Sequence, residues 1–240
     1  MKKLLGILGG IVLVVIVAVF VLLGSLDSII KSQIESVGTE LTGVAVTVDD
    51  VEIDLTKGAG QITGLTIANP DGYSSSPAFQ LGLLKLKIDI GSLVEAQPIV
   101  LDTLVIESMN TSLELRGNTS NLNVISESVS KNAKSAEEKT TETEGGKPLL
   151  ISIQKVFINN VNIAIISGEK KSSDKLPTIE LTNVGGKEGK SAAGIASVVL
   201  SKLVSEILKE AAMEQLMKKF NETLGGATKS LLDSLNKALK

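Results

Sequence analysis

Carboxylates, serines and lysines are the residues that could do chemistry in this 240-residue chain, which contains no His and no Cys. Four carboxylates cluster at Asp49, Asp50, Glu52 and Asp54, and such a cluster could bind a hard cation or exchange protons. The last three alternate with apolar residues, which is typical of the wet face of a strand. Hard-cation sites instead gather about six or more oxygens around a tight loop. The cluster therefore predicts a solvated strand face and no metal site.

The serine and lysine motifs also lack the context that catalysis needs. Ser74–Ser76 follows Asp71-Gly72, which is turn chemistry, and the chain has neither a G-x-S-x-G motif nor a His to activate a serine. Gly185–Lys190 reads GGKEGK and lacks the spacing of a phosphate-binding P-loop. We therefore predict a protein that is not an enzyme and uses no cofactor.

Charge and composition narrow the class of partner. The chain has 24 Lys and Arg against 27 Asp and Glu, a net charge of −3, so nothing favours nucleic acid. Its residues are 43% hydrophobic and 21% charged, with no Trp, one Tyr and four Phe. This composition predicts one domain with an almost purely aliphatic core.

The N-terminal segment has the properties of a membrane anchor. Leu4–Leu23 is 20 residues without a charge, long enough to cross a hydrocarbon core of about 30 Å. A cleaved signal peptide is the alternative, but its apolar region would be shorter and would end in a small-x-small site, where this chain has Leu22. Lys2 and Lys3 precede the span, so the positive-inside rule predicts a cytoplasmic N-terminus and a translocated remainder.

Hydrophobic periodicity divides the rest of the chain. Apolar spacings of three and four predict an amphipathic helix over 25–41, and alternation from 44 to 115 predicts strands with one wet face. The predicted fold class is α+β: a transmembrane helix, a curved antiparallel sheet forming a groove or half-barrel, and C-terminal amphipathic helices. The predicted segments are the anchor 1–24, helix plus sheet 25–126, a polar linker or loop 127–148, further strands 149–190, and helices 191–240.

The alternation slips by one residue at three places. Val46 and Val48 are followed by Val51 and Ile53, so two polar residues, Asp49-Asp50, separate apolar residues that should share a face. The same pattern recurs around Glu107-Ser108 and around Asn159-Asn160. A two-residue hairpin and a β-bulge both fit such a slip. Glu-Ser disfavours a hairpin whose turn residues need positive φ, so we favour bulges that curve the sheet.

Several segments in order give the chain a resemblance to a known family. They are Thr42-Gly43, Gly64–Ile67, Asn69–Tyr73, Ile90–Leu93 and Asn121–Asn123. With the preceding apolar helix they resemble the N-terminal region of AsmA-like proteins over about residues 1–126. That resemblance implies a Gram-negative inner-membrane protein whose periplasmic part has a repeating β-groove of the bridge-like lipid transfer type, linked to outer-membrane lipid homeostasis. This chain would be a short member that ends in aliphatic helices.

The resemblance implies that the aliphatic face of the sheet binds membrane lipid. The predicted groove residues, all aliphatic, are Val46, Val48, Val51, Ile53, Leu55, Leu65, Ile67, Leu84, Leu86, Ile88, Ile90, Leu104, Ile106, Val156, Ile158, Val161 and Ile163. Their expected ligand is the acyl chains of phospholipid. The alternative is a structural or assembly protein whose helices cover the sheet and which binds an envelope protein. The sequence predicts neither the lipid nor the oligomeric state.

Overall fold

The computed structural model describes residues 27–93, 98–117, 119–142 and 149–211. It is an α+β fold with one large sheet and three helices. The helices are α1 (27–42), α2 (Asn121–Glu142) and α3 (192–211). The strands are β1 (Val46–Thr47), β2 (Asp50–Asp54), β3 (Ala59–Ile67), β4 (Phe79–Ile88), β5 (Ile99–Arg116), β6 (Thr119–Ser120), β7 (Ile151–Ile158), β8 (Val161–Ser167), β9 (Lys170–Leu176) and β10 (Ile179–Val184).

The sheet is mixed, so the prediction of an antiparallel sheet is wrong in its centre. The main path runs β1-β3-β4-β5-β7-β10, with β2 beside β3, β8 beside β5 and β9 beside β8. The long strand β5 pairs antiparallel with β4 but parallel with both β7 and β8. Parallel neighbours need a crossover connection, and α2 supplies it between β6 and β7. The alternation pattern carries no information on strand direction, which is why the sequence did not reveal it.

Helix α2 occupies most of the segment predicted as a polar linker. It extends from Asn121 to Glu142, so residues 127–142 are helical and the linker prediction is wrong there. Its buried residues Leu122, Ile125, Val129 and Ala133 form a single stripe at helical spacing. Because the buried apolar side chains up to residue 135 form only this narrow stripe, most of the other described positions can be polar, which made the segment resemble a linker.

The sequence slips are bends that neighbouring strands share. Ser108 and Asn160 have positive φ angles of 58° and 53°, and Gly64 in β3 has 65°. Ile106 pairs with Ile158 and Met109 with Val161, so each strand places two residues between these pairs. Neither strand carries an extra residue, as a bulge would require.

The same row of bends continues to the other side of the sheet. Thr47 pairs with Thr66 and Asp50 with Thr63, again with two residues on each side. Strand β5 also runs unbroken through its slip, which excludes a hairpin turn. Both interpretations offered by the sequence, bulge and hairpin, are therefore wrong, although the slip does keep the flanking apolar residues buried on one face. A register shift lies elsewhere, between Lys87 and Ile88.

Helix α1 closes the β1–β2 edge of the sheet. Four side chains spaced every fourth residue bond the strand backbone. The Asp27 carboxylate accepts from the Ile53 N–H at 2.9 Å, and the Glu35 carboxylate accepts from the Val48 N–H at 2.9 Å. Lys31 donates to the Asp49 carbonyl at 2.9 Å, and the Thr39 hydroxyl accepts from the Val46 N–H at 3.0 Å. The helix thus satisfies backbone groups that an edge strand otherwise exposes.

The main core lies between the apolar face of the sheet and the three helices. Buried strand residues such as Met109, Val156 and Ile163 form one cluster with Leu122 of α2 and Ile207 of α3. A smaller cluster of Val48, Val51 and Ile62 packs beneath Ile30 and Ile34 of α1. The helices therefore cover the face that the sequence predicted to be apolar.

The predicted anchor 1–24 and the helices predicted beyond 211 lie outside the described residues. Within the part of the chain that the structure describes, no helix has the length and apolar character needed to cross a membrane.

Candidate functional site

A cavity of about 300 Å³ lies between the sheet and the helices. Strands β3, β4 and β5 wall one side of it, and all three helices contribute to the other. Its lining residues are Ile34, Gly38, Leu41, Thr42, Val46, Leu65, Ile67, Phe79, Leu81, Leu84, Leu104, Ile106, Met109, Val129, Ala192, Ile195, Ala196, Val199, Leu200 and Leu203.

Among the described residues of that lining, Thr42 carries the single polar side chain. Its hydroxyl lies 2.7 Å from the Gly38 carbonyl and 2.9 Å from the Val44 carbonyl, either of which can accept its proton. The same oxygen accepts a hydrogen bond from the Val44 N–H at 3.3 Å. The backbone thus satisfies the hydroxyl, and the described lining presents no free hydrogen-bonding side chain and no charge.

The cavity opens beside the first turns of α3. Ala192 and Ala196 are the lining residues on that helix that are exposed to solvent, whereas Ile195 and Leu203 are buried beneath them. Helix α3 begins after Ser191, whose hydroxyl accepts a hydrogen bond from the Gly194 N–H at 3.0 Å. Small residues on the exposed side of a capped helix therefore border the opening.

Part of the predicted groove face lines this cavity. These residues lie in β1, β3, β4 and β5, close to the row of bends: Val46, Leu65, Ile67, Leu84, Leu104 and Ile106. A second set is buried in the core away from the cavity: Val156, Ile158, Val161 and Ile163, none more than 1% exposed. The structure therefore divides the predicted face into a lining and a packed core.

The remaining predicted residues lie elsewhere on β2 and β4 or in turns. Val48 and Val51 belong to the small cluster beneath α1. Ile53 and Leu86 border a shallow depression of mixed polarity near the start of α1. Leu55 and Ile90 are 36% and 47% exposed, respectively, and Ile88 is half-buried. The alternation pattern assigned these residues to the groove although they do not line the cavity, because it does not show where the helices end.

The sequence prediction missed the helix residues that line the cavity and three of its strand residues. Leu41 lies in the helix predicted over 25–41, Val129 lies in the segment predicted as a polar linker, and the α3 residues lie in the helices predicted to cover the sheet. None of them was predicted to belong to the site. Phe79, Leu81 and Met109 belong to strands whose alternation was visible, and Met109 follows the second slip directly. The period-two pattern could have identified these three, because each continues an apolar face across the row of bends.

Asp54, one of the carboxylates near the first slip, has its contacts within a turn. Lys57 and Thr56 donate hydrogen bonds that hold the pKa of Asp54 far below its usual range, and the Lys57 ammonium lies 2.8 Å from the Asp54 carboxylate. Within the described residues, no group of three or more acidic side chains has an arrangement that could hold a metal ion. The contacts among Asp54, Thr56 and Lys57 therefore stabilise the Asp54–Gly58 turn.

A buried carboxylate on the other face of β5 also has a local structural role. Glu114 is only 5% exposed and accepts hydrogen bonds from the Asn69 amide at 2.7 Å and the Ser74 N–H at 3.0 Å. The Ser74 hydroxyl donates to the same side chain, and the Asn121 amide links Asn69 to the Ser112 carbonyl. These hydrogen bonds connect the Asn69–Ser76 loop to β5 and to the start of α2.

No protein-family profile matches the sequence, and no curated protein matches it significantly.

Proposed function

We propose that the protein is a membrane-anchored, non-enzymatic lipid-binding protein of the bacterial cell envelope. It would be a single-pass inner-membrane protein with a cytoplasmic N-terminus and a periplasmic bulk, acting in phospholipid handling or outer-membrane biogenesis. The AsmA-like resemblance supports the compartment and the process. The apolar cavity supports the ligand class, because a site lined by aliphatic side chains without free polar groups suits an acyl chain.

The chemistry of the lining favours binding by hydrophobic burial. Each methylene that leaves water contributes about 0.8 kcal/mol, and association costs at least about 4 kcal/mol in lost freedom. A chain that buries about ten methylenes would therefore retain at most about 4 kcal/mol of net affinity, which corresponds to a Kd of about 1 mM or above.

The decisive experiment is lipid analysis of the purified full chain by native mass spectrometry. In the presence of about 1 mM decanoic acid we expect bound lipid on the wild-type protein, and much less on Ala196→Phe, which places a ring at the opening. Ser201→Phe is the matched control, since Ser201 is exposed on the same helix but does not line the cavity. Equal lipid on both variants, or none on the wild type, would reject the proposal.

The alternative function is a structural or assembly protein that binds an envelope protein. The covered sheet supports it, because α2 and α3 bury most of the apolar face in a common core with the strands. A groove between β10 and α3, which contains the exposed Val198 and the side chain of Lys190, is a surface that such a partner could use. The same mass-spectrometry experiment separates the two proposals, since this one requires no bound lipid.

A further inference from the structure

We infer that the cavity takes one acyl chain at a time and that its ligand is a single-chain amphiphile, meaning a fatty acid or a lysophospholipid. The inference rests on the proposed lipid-binding function and names its ligand class. Three features carry it: the size of the cavity, the packing of its walls and the absence of free polar groups from its described lining.

The size of the cavity limits its contents to one chain. Its volume of about 300 Å³ is at the lower end of the range for ligand sites, roughly 300–1,000 Å³. A water molecule occupies about 30 Å³ in the liquid, and a methylene group is of similar size. The cavity therefore has room for roughly ten such groups. Each chain of a membrane phospholipid spans half of a hydrocarbon core of about 30 Å, so two such chains greatly exceed this space.

The walls of the cavity are too well packed to admit a second chain without separating α3 from the sheet. Leu203 lines the cavity and is 5% exposed, and the next turn of α3 places Ile207, which is fully buried, in the same core. Phe79 and Met109 on the opposite wall are 1% and 0% exposed. Moving such a helix outward would expose several large apolar side chains to water, which the hydrophobic effect opposes.

A second chain left outside the cavity would also be unfavourable. It would remain in water or contact only the exposed edge near Ala192 and Ala196, and every methylene so exposed lacks the stabilisation that burial gives. A single-chain amphiphile has no such second chain. The cavity therefore favours it over a diacyl lipid of the same chain length.

The polar end of the ligand must lie at the opening. A carboxylate or phosphate buried without a partner is strongly disfavoured, and the one hydroxyl in the lining, that of Thr42, is already bonded to the backbone. Ala192 and Ala196 border the opening and leave the head group in water. Selectivity thus comes from the number of chains and their length.

Photo-crosslinking of the full chain reconstituted in nanodiscs of phosphatidylethanolamine and phosphatidylglycerol tests this inference. One sample receives decanoic acid with a diazirine on its chain, and the other contains phosphatidylcholine with the same modified decanoyl chain in the disc. After irradiation, labelled residues are mapped by mass spectrometry. We expect the fatty acid to label lining residues such as Phe79 and Met109 at least about tenfold more than the phospholipid does, a ratio that corresponds to about 1.4 kcal/mol.

The outcomes separate the two proposals. Equal labelling by both probes, or labelling by the phospholipid alone, would overturn the one-chain inference and leave the lipid-binding function in place. Labelling of the lining by neither probe would overturn both. Ala196→Phe and Ala192→Phe should each reduce labelling by the fatty acid at least about tenfold, while Ser201→Phe should not. If the two opening variants label like the wild type, the chain does not enter beside α3 and the inference is wrong.

Discussion

At the residue scale, the bends depend on backbone conformations that few residues adopt without strain. Gly64 has φ of 65°, and Ser108 and Asn160 hold 58° and 53° with full side chains. A left-handed residue costs about 1–2 kcal/mol when it carries a Cβ. The neighbouring strands bend at the same row, so the hydrogen-bonded strand pairing continues on both sides of the bend. The polar pairs at the slips therefore mark the conformation that the sheet requires at its bend.

Gly64→Ala should destabilise the protein more than a glycine replacement of equal backbone cost. A Cβ at Gly64 would overlap the Asp49 carboxylate, whereas at Gly117, with φ of 58°, it would meet nothing within 4 Å. We expect Gly117→Ala to lower the free energy of unfolding by about 1–2 kcal/mol. Gly64→Ala should lower it by about 2 kcal/mol more than Gly117→Ala does. Urea denaturation followed by circular dichroism measures both. Equal losses of stability in the two variants would show that the Asp49 side chain moves away from the new Cβ without an energetic cost.

The sequence predicted where the bends lie but not what they are. The apolar-x-x-apolar spacing located Glu107-Ser108 and Asn159-Asn160 correctly, because burial on one face leaves a readable pattern. Bulges and shared left-handed bends produce the same spacing in any single strand. They differ only in how many residues the partner strand places opposite, and pairing across the sheet is absent from a local pattern.

At the element scale, the helices do more than cover an apolar face. Helix α1 satisfies the edge of the sheet through Asp27, Lys31, Glu35 and Thr39, and α2 provides the crossover that makes the centre of the sheet parallel. The amphipathic spacing predicted α1 correctly, but polar side chains bonding strand backbone have no signature in hydropathy. The same limitation hid α2, whose single buried stripe is diluted by polar residues.

Glu35→Ala should destabilise the protein because it leaves the Val48 N–H without its partner. A hydrogen bond to a charged group contributes about 1.5–3 kcal/mol, and the partial exposure of Glu35 lowers our expectation to about 1 kcal/mol. Glu40→Ala is the control, since Glu40 is exposed on the same helix and its side chain makes none of the bonds to β1 and β2. Thermal unfolding of both variants measures the difference. If the two variants unfold alike, the edge contacts do not stabilise the sheet.

At the scale of the whole molecule, the fold reconciles the two interpretations that the sequence left open. The helices do cover the apolar face, as a plain structural protein requires, yet they leave a cavity of about 300 Å³ between themselves and three of the strands. The sequence could predict an aliphatic face and amphipathic helices. It could not predict the space between them, because a cavity depends on how closely the elements approach and on side-chain volumes from Gly38 to Leu203.

That arrangement predicts that a ligand of the proposed class stabilises the folded protein through the cavity. A ligand that binds only the folded state at a concentration of about ten times its Kd adds about 1.4 kcal/mol, which raises Tm by roughly 3–6 °C for a chain of this size. We expect decanoic acid, whose chain matches the cavity, to produce a shift of this order in the wild type and in Ser201→Phe. In Ala196→Phe the shift should be absent, because the ring at the opening prevents the chain from entering. A rise in Tm that is the same in all three proteins would mean that the acid acts at their surfaces, and the cavity would then be only a packing defect of the core.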